Sequence, residues 1–354
     1  MKILITGGAG FIGQHLARRL ANEGHSVTAL DSLDAQVHQN AEESVARFPG
    51  DVIRGDVADP LAWQAMTPYD AIVHLAAETG TAQSMYEQDH YRRVNVGGTT
   101  LAAEAAARWA APIVALSSRA VYGEGVVADG PGALPEGLDG GPDGVLLPSL
   151  EDDPHCPVSV YGETKSEGEA ALAKIADGQV GATVIRPQNV IGRGQALHNP
   201  YTGVLAAFLA RLKEGRELSI YGDGTQTRDF VHVEDLAALI HWCLENSPAP
   251  EEPVRVLNCG TGVRTNLDQL AQYSIDAAPG VDVGIVHVDV KRAGDIDHAC
   301  ADLRRLESVG APLPVWTTQA AIADFIASSW DTDGAASATW DNALQELAAK
   351  GLIE

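Results

Sequence analysis

Cysteine is scarce in this chain. The four present, Cys156, Cys243, Cys259 and Cys300, lie no closer than 16 positions apart, so no CxxC pair exists. That spacing excludes a zinc ribbon or a redox dithiol, and no metal is expected. Scattered thiols in a chain of 354 residues fit a reducing compartment. No apolar run is long enough to span a bilayer. The start, MKILITGGAGFIG, lacks the apolar stretch and cleavage site of a secretory leader, so a cytoplasmic location is expected. Basic residues are also in short supply, 24 Lys+Arg against 48 Asp+Glu, for a net charge of −24. Such acidity repels nucleic acid and anionic membrane, so neither is an expected partner, although a local basic pocket for a small anion remains compatible with it. What is abundant is apolar surface. At 45% hydrophobic the chain can bury a sizeable core and is not disordered.

Short apolar runs alternate with helical patterns through the first half. Lys2–Ile5, Ser26–Leu30, Asp51–Arg54, Ala71–Leu75, Ile113–Leu116 and Ala182–Ile185 read as strands. Helices are predicted after the first glycine cluster, over Tyr91–Ala110, and from Tyr161 onward. Apolar strands separated by helices imply an α/β fold, a parallel sheet covered on both faces.

Between Gly125 and Pro157 the texture changes. Seven glycines, six prolines and seven acidic residues, with no Lys or Arg, cannot bury enough apolar surface to offset chain ordering, so this is a surface insertion, either a lid or a tolerated loop. The organisation expected is a first domain over 1–186 carrying this insertion. A smaller lobe over 187–330 would follow, possessing elements that return to the first domain, and then a linker and end helix over 331–354.

Gly7-Gly8-Ala9-Gly10-Phe11-Ile12-Gly13 follows a predicted strand and opens a predicted helix. Glycines there let the backbone approach a pyrophosphate, and the helix N-terminus offers unpaired amides. Eighteen residues beyond Gly13, Asp31 ends the second strand, where a carboxylate binds a ribose diol and repels a 2′-phosphate. The expected cofactor is NAD. Tyr161 and Lys165 are four apart, hence on one helix face. An ammonium beside a phenol lowers its pKa from roughly 10, making tyrosine usable as a general base.

Together with the Ser117-Ser118 step after a strand, these motifs make the chain resemble the extended short-chain dehydrogenase/reductases of the nucleotide-sugar epimerase/dehydratase family, from Met1 to about Leu306. The resemblance implies a Rossmann-type doubly wound parallel sheet with a smaller mixed α/β substrate lobe. It implies Ser118, Tyr161 and Lys165 as the catalytic set, Ser118 being chosen over Ser117 because Ser118-Arg119-Ala120-Val121-Tyr122-Gly123 fits the family pattern. Cofactor contacts map onto Gly7, Gly10, Phe11, Ile12, Gly13, Asp31, Ser32, Asp56, Val57, Leu75, Ala76, Ala77, Asn95 and Pro187, besides Tyr161 and Lys165. Substrate contacts map onto Ser84, Ser118, Asn189, Thr202, Tyr221, Gln226, Arg228 and Arg292, with the two arginines clamping a diphosphate through their planar forks.

One departure bears on the reaction. Dehydratases of the family follow the catalytic residue with an Asp-Glu pair, whereas this chain has Arg119-Ala120, neither of which shuttles a proton from carbon. Glu78 is the one residue weighed as a substitute. The expected activity is therefore 4-epimerisation of a UDP- or dTDP-hexose, like the dTDP-L-rhamnose 4-epimerase-like and UDP-glucose 4-epimerase-like members. A 4-keto-sugar reductase, a 4,6-dehydratase and a non-catalytic dinucleotide sensor are the alternatives. By the same resemblance a homodimer is expected, through the helices near 91–110 and 161–176.

Overall fold

The computed structural model describes residues 1–128, 145–198, 203–290, 295–332 and 336–351. Its centre is a seven-stranded parallel sheet. The strands are β1 (Lys2–Thr6), β2 (Ser26–Asp31), β3 (Asp51–Arg54), β4 (Ala71–His74), β5 (Ile113–Leu116), β6 (Ala182–Pro187) and, beyond two short strands described below, β9 (Arg255–Cys259). In space they run β3-β2-β1-β4-β5-β6-β9, so the order reverses between β1 and β4. Loops leaving the strand ends diverge at that reversal, which opens a crevice there.

Both sheet faces are covered, which is why the strands read as unbroken apolar runs. Ile3 and Ile5 point to one side, where α1 (Phe11–Asn22) and α5 (Val233–Glu245) contribute Leu16, Leu20, Leu236 and Ile240. Leu4 points to the other, against α2 (Gly98–Trp109) and α3 (Val160–Ala176), through Ala102, Ala106 and Leu172. The helix predicted over Tyr91–Ala110 is not uniform. An α-helical turn at Gln88–Tyr91 passes into a π-helical stretch, Arg92–Gly97, before α2 begins. Asn95 lies in that stretch, and such bulges recur at functional sites.

The second lobe has its own core, with Leu205, Phe208, Leu212, Ile220, Leu270 and Phe325 buried together. It is built from α4 (Val204–Lys213), α6 (Leu267–Ala277), α7 (Thr318–Ser329) and a parallel pair, Leu218–Tyr221 with Ile285–Val288. Two short parallel strands, β7 (Asn189–Ile191) and β8 (Phe230–His232), join it to the sheet layer. Two segments beyond residue 186 belong to that layer, since α5 packs on α1 and β9 forms the sheet edge. Buried Asp229 ties the lobes together by accepting from the backbone nitrogens of Thr261, Gly262 and Ala301 at 2.7, 3.1 and 3.1 Å.

Of the acidic insertion, 129–144 lies outside the described residues, and with it the question of a lid. Its flanks pair as Val127–Ala128 with Val145–Leu146. The last helix, α8, is Ser337–Ala349.

Candidate active site

A cavity of about 570 Å³ runs along the carboxyl ends of β1, β2, β4 and β5. Its wall includes Gly7, Gly10, Phe11, Ile12 and Gly13, then Asp31, Ser32, Asp56 and Val57. Leu75, Ala76, Ala77, Lys165, Tyr161 and Pro187 continue it. A Cβ on Gly13 would lie 2.4 Å from the Gly8 carbonyl oxygen, so α1 can start this close to the loop only as glycine. Asp31 is buried, with Oδ2 accepting from Ala9 N at 3.0 Å and Oδ1 from Leu33 N at 2.9 Å. His38 Nε2 lies 3.3 Å from Oδ1. A carboxylate has about four acceptor sites, which leaves capacity for a ribose diol. Asn95 is the exception among the expected cofactor contacts. It lies beneath the wall, where Oδ1 accepts from Glu78 N at 2.8 Å and Nδ2 donates to Glu78 O at 3.1 Å and Thr164 Oγ1 at 2.9 Å. Its role is to brace the wall.

A second cavity, about 540 Å³, opens between the lobes and shares Ser118, Tyr161 and Asn189 with the first. Tyr221, Gln226 and Arg228 line it as expected. Arg228 donates to the carbonyls of Thr227, Asp297 and Ile296 at 2.9, 3.0 and 2.6 Å, which fixes its guanidinium on the wall. Ser84 does not reach this cavity. Fully buried, it donates to Thr81 O at 2.6 Å and accepts from Tyr161 N at 3.0 Å, so it holds the start of α3 instead of a ligand. Thr202 and Arg292 lie outside the described residues.

The reactive group sits where the cavities meet. Helix α3 starts at a Ser159 cap, whose Oγ accepts from Gly162 N at 3.2 Å. A Cβ on Gly162 would lie 2.5 Å from Ala120 O, and this close approach brings Tyr161 against the turn after β5. There Ser118 lines both cavities with Tyr161, its Oγ accepting from Ala120 N at 3.1 Å. Ser117 instead donates to Glu169 Oε1. Burial raises the Tyr161 pKa, while the nearby Ser118 side chain and the Arg119 charge oppose that rise. Lys165 is turned differently from the expectation. Its Nζ donates to Leu116 O at 2.9 Å, and burial lowers its pKa to about 8 against the pull of Glu169. Among the described residues no hydrogen bond joins this ammonium to the phenol, although both groups line the first cavity.

Glu78 lines only the first cavity, with Oε1 3.1 Å from His90 Nε2, and burial raises its pKa. It has no access to the second cavity's wall.

Three features escaped sequence reasoning. Gln188 is 5% exposed, lines both cavities, and neither amide atom has a partner among the described residues. An orphaned buried amide at the junction fits a bound ligand. Together with the glycine cradle, it fits the cleft to a dinucleotide, which Gly7–Gly13, Asp31 and Gln188 would hold. Arg186, at the end of β6, forks onto Glu169 at 2.9 and 2.6 Å and donates to Tyr122 Oη at 2.9 Å, buttressing α3 beneath Lys165. Its neighbours Pro187 and Asn189 drew notice for ligand contact, and only the rarity of arginine in an otherwise apolar strand signals this inward role. Trp340, on α8, lines the second cavity, and no local motif signals that placement.

A doubly wound sheet, a glycine-cradled dinucleotide cleft and a Ser-Tyr-Lys set define a dinucleotide-dependent enzyme of the short-chain dehydrogenase/reductase type. The profile described as NAD dependent epimerase/dehydratase family matches residues 3–260, and the chain belongs to that family; its cofactor is NAD. It is 37% identical to a dTDP-L-rhamnose 4-epimerase from Burkholderia thailandensis, over 91% of this chain and 93% of that one. Identity is 30% to a UDP-glucose 4-epimerase from Mycolicibacterium smegmatis (93% and 97% covered) and 30% to a dTDP-glucose 4,6-dehydratase from Streptomyces griseus (86% and 87%). A crystal structure of UDP-glucose 4-epimerase from Thermotoga maritima with UDP-glucose superposes with a TM-score of 0.78 at 26% identity, covering 93% of this chain and 98% of that one. Among the described residues no helix is long and apolar enough to cross a membrane, and no cluster of His, Cys, Asp and Glu could hold a metal ion.

Proposed function

We propose that this protein is an NAD-dependent 4-epimerase of nucleotide-diphosphate hexoses, acting on a UDP- or dTDP-sugar. The observation that carries the reading is the wall beside Tyr161. Ser118 and Tyr161 meet at the junction of the two cavities, and the residues following Ser118 are Arg119 and Ala120, not an acid and a base. The carboxylates on the second cavity's wall, Asp289, Asp295 and Asp297, belong to the segment beside Arg228. Among the described residues, the turn after Ser118 thus offers no acid–base pair beside Tyr161 to eliminate water. Similarity to the Burkholderia and Mycolicibacterium enzymes points the same way.

When bound, NAD would supply a two-electron acceptor for the hydride at C4 and its return. Tyr161 removes the C4 hydroxyl proton, and Ser118 holds the oxygen as it becomes a carbonyl. Arg228 secures the diphosphate while the 4-keto sugar turns over, and the proton comes back from Tyr161 with the opposite face presented. The reading includes Asn189, Tyr221 and Gln226 as sugar or nucleotide contacts, Arg292 as a second phosphate clamp, and a homodimer packed through the α2 and α3 faces.

The test is incubation of purified protein, without added cofactor, with UDP-, dTDP-, GDP- and CDP-hexoses, followed by NMR of the C4 configuration. Interconversion of two C4 epimers is expected. A 4-keto-6-deoxy product would replace the reading with a dehydratase, and turnover only on addition of NAD(P)H, consumed stoichiometrically, with a reductase.

A further inference from the structure

Helix α4 runs along the second cavity and gives it a direction. Val204, at its start, lines both cavities, whereas Phe208 and Arg211 line only the second. From Val204 to Arg211 is about two turns, roughly 10 Å along the helix axis. Helix α8 is tied to the far end of α4. Ser337 N and Oγ donate to the Glu214 carboxylate at 3.0 and 2.6 Å, and Arg216 Nη1 donates to Ser337 Oγ at 2.5 Å. One turn on, Trp340 packs against the lobe core and lines the second cavity but not the first. Just past the helix, Lys350 lies over the Tyr86 ring of the first domain, 3.2 Å from its centre, so α8 bridges the two halves beside the cavity. Trp340 Nε1 is buried and has no partner among the described residues. An indole nitrogen can only donate, and a buried one usually finds an acceptor. Gln226 Oε1, an acceptor in the same cavity, is also buried and unpartnered, although its Nε2 donates to Tyr221 O at 3.3 Å.

We propose that Trp340 is a substrate-binding residue for the nucleoside end of the nucleotide sugar: its indole covers the base, and its N–H donates to an oxygen of the nucleoside. The proposal rests on the reading above in taking the second cavity as the nucleotide-sugar site. With the sugar at Tyr161 and the diphosphate at Arg228, the nucleoside is the part left for the end of the cavity furthest from the junction. That is where α8 brings the indole. A base presents a π-face for stacking and an edge of donors and acceptors. The cavity matches it with an aromatic ring, one unpartnered donor on Trp340 and one unpartnered acceptor on Gln226. The stretch that defines the family ends at residue 260, so this contact comes from a part of the chain beyond it.

The test is titration calorimetry of the NAD-loaded protein with UDP, dTDP, GDP and CDP, and then with a hexose ester of whichever binds. Trp340→Leu neither stacks nor donates, and it should weaken the nucleoside diphosphate by about 5–150-fold, the range that base–aromatic stacking commands, with NAD content unchanged. Trp340→Phe keeps a stacking ring and should weaken it less. The phenylalanine variant also carries the test if the leucine variant does not fold, because the change in tryptophan emission that the diphosphate produces in the parent should vanish in it. Melting temperature and retained NAD monitor folding. Unaltered affinity in Trp340→Leu, or an undiminished emission change in Trp340→Phe, overturns the proposal. So does a loss confined to the hexose ester, which would put the indole on the sugar. A parent that binds none of the four diphosphates sinks the functional reading and this inference together, whereas Trp340-dependent binding without C4 interconversion sinks the functional reading alone.

Discussion

The two cavities are built by different means. The cofactor cleft is assembled from consecutive βα turns, Gly7–Gly13, Asp31–Ser32, Asp56–Val57 and Leu75–Ala77, each at the end of a sheet strand. The part of its lining at those turns is largely backbone and small side chains. The sugar cavity takes the large side chains Arg119, Phe208, Tyr221, Arg228 and Trp340 from segments scattered over more than half the chain. Recognition by backbone tolerates little variation, because the approach distance itself is the specificity. Recognition by side chains can be retuned one residue at a time. That contrast explains how a single cofactor site serves relatives described as 4-epimerases and as a 4,6-dehydratase.

The sharpest way to break the contrast is at the junction. Tyr161→Phe is expected to reduce turnover by about 10²–10⁴-fold, the usual worth of a positioned acid–base group, while the protein retains its NAD. Loss of NAD along with activity would show that the phenol belongs to cofactor binding and that the cavities are not separable. Next in size is Arg228→Met. Removing one charge-assisted contact should lower kcat/KM about 10–100-fold, chiefly through KM, with NAD content unchanged. An unchanged KM would remove Arg228 from the substrate side. Gly13→Ala tests the other half. The added Cβ would meet a backbone carbonyl, so overpacking should cost about 1–3 kcal/mol in denaturant unfolding and weaken NAD retention, with any NAD-loaded fraction keeping its KM for sugar.

The same contrast decided what could be read in advance. The strands were legible because they are covered on both faces, and the cofactor motifs because a glycine run between a strand and a helix has few other uses. Ser118 was preferred to Ser117 on the sequence pattern, and in the structure Ser118 lines both cavities whereas Ser117, bonded to Glu169, lines only the first. Ser84 and Asn95 are buried polar residues set behind the cavity walls, and sequence does not tell a group that braces a wall from one that faces a ligand. Their partners, Tyr161 N and the Glu78 backbone, are 77 and 17 positions away. Lys165 and Tyr161, four residues apart on α3, both line the cofactor cavity, and the bond from Lys165 Nζ to Leu116 O is a tertiary contact that spacing does not reveal. Trp340 enters the cavity through tertiary packing, with Ser337 Oγ donating to Glu214 Oε2 at 2.6 Å at the start of its helix, and no local pattern signals that.

The smallest effect should distinguish the halves by acid. His74 ends β4 beneath the cofactor cleft, with Nδ1 2.8 Å from Thr6 Oγ1 and Nε2 3.2 Å from Thr99 Oγ1. Burial, aided by the Lys165 charge, lowers its pKa from 6.5 to about 3. Between those values the unfolded chain holds a proton that the folded chain refuses, so stability rises with pH across this window. The contribution is complete above pH 6.5 and drains away as pH falls towards 3. One unit below the unfolded pKa the loss is about 1 kcal/mol. In His74→Asn, which keeps a partner for Thr6 but cannot take up the charge, denaturant midpoints should fall less steeply with acid than in the parent. Parallel slopes in the two proteins would mean that acid enters elsewhere, through the ionisable groups of the sugar lobe, and that the cofactor half is not the first to loosen.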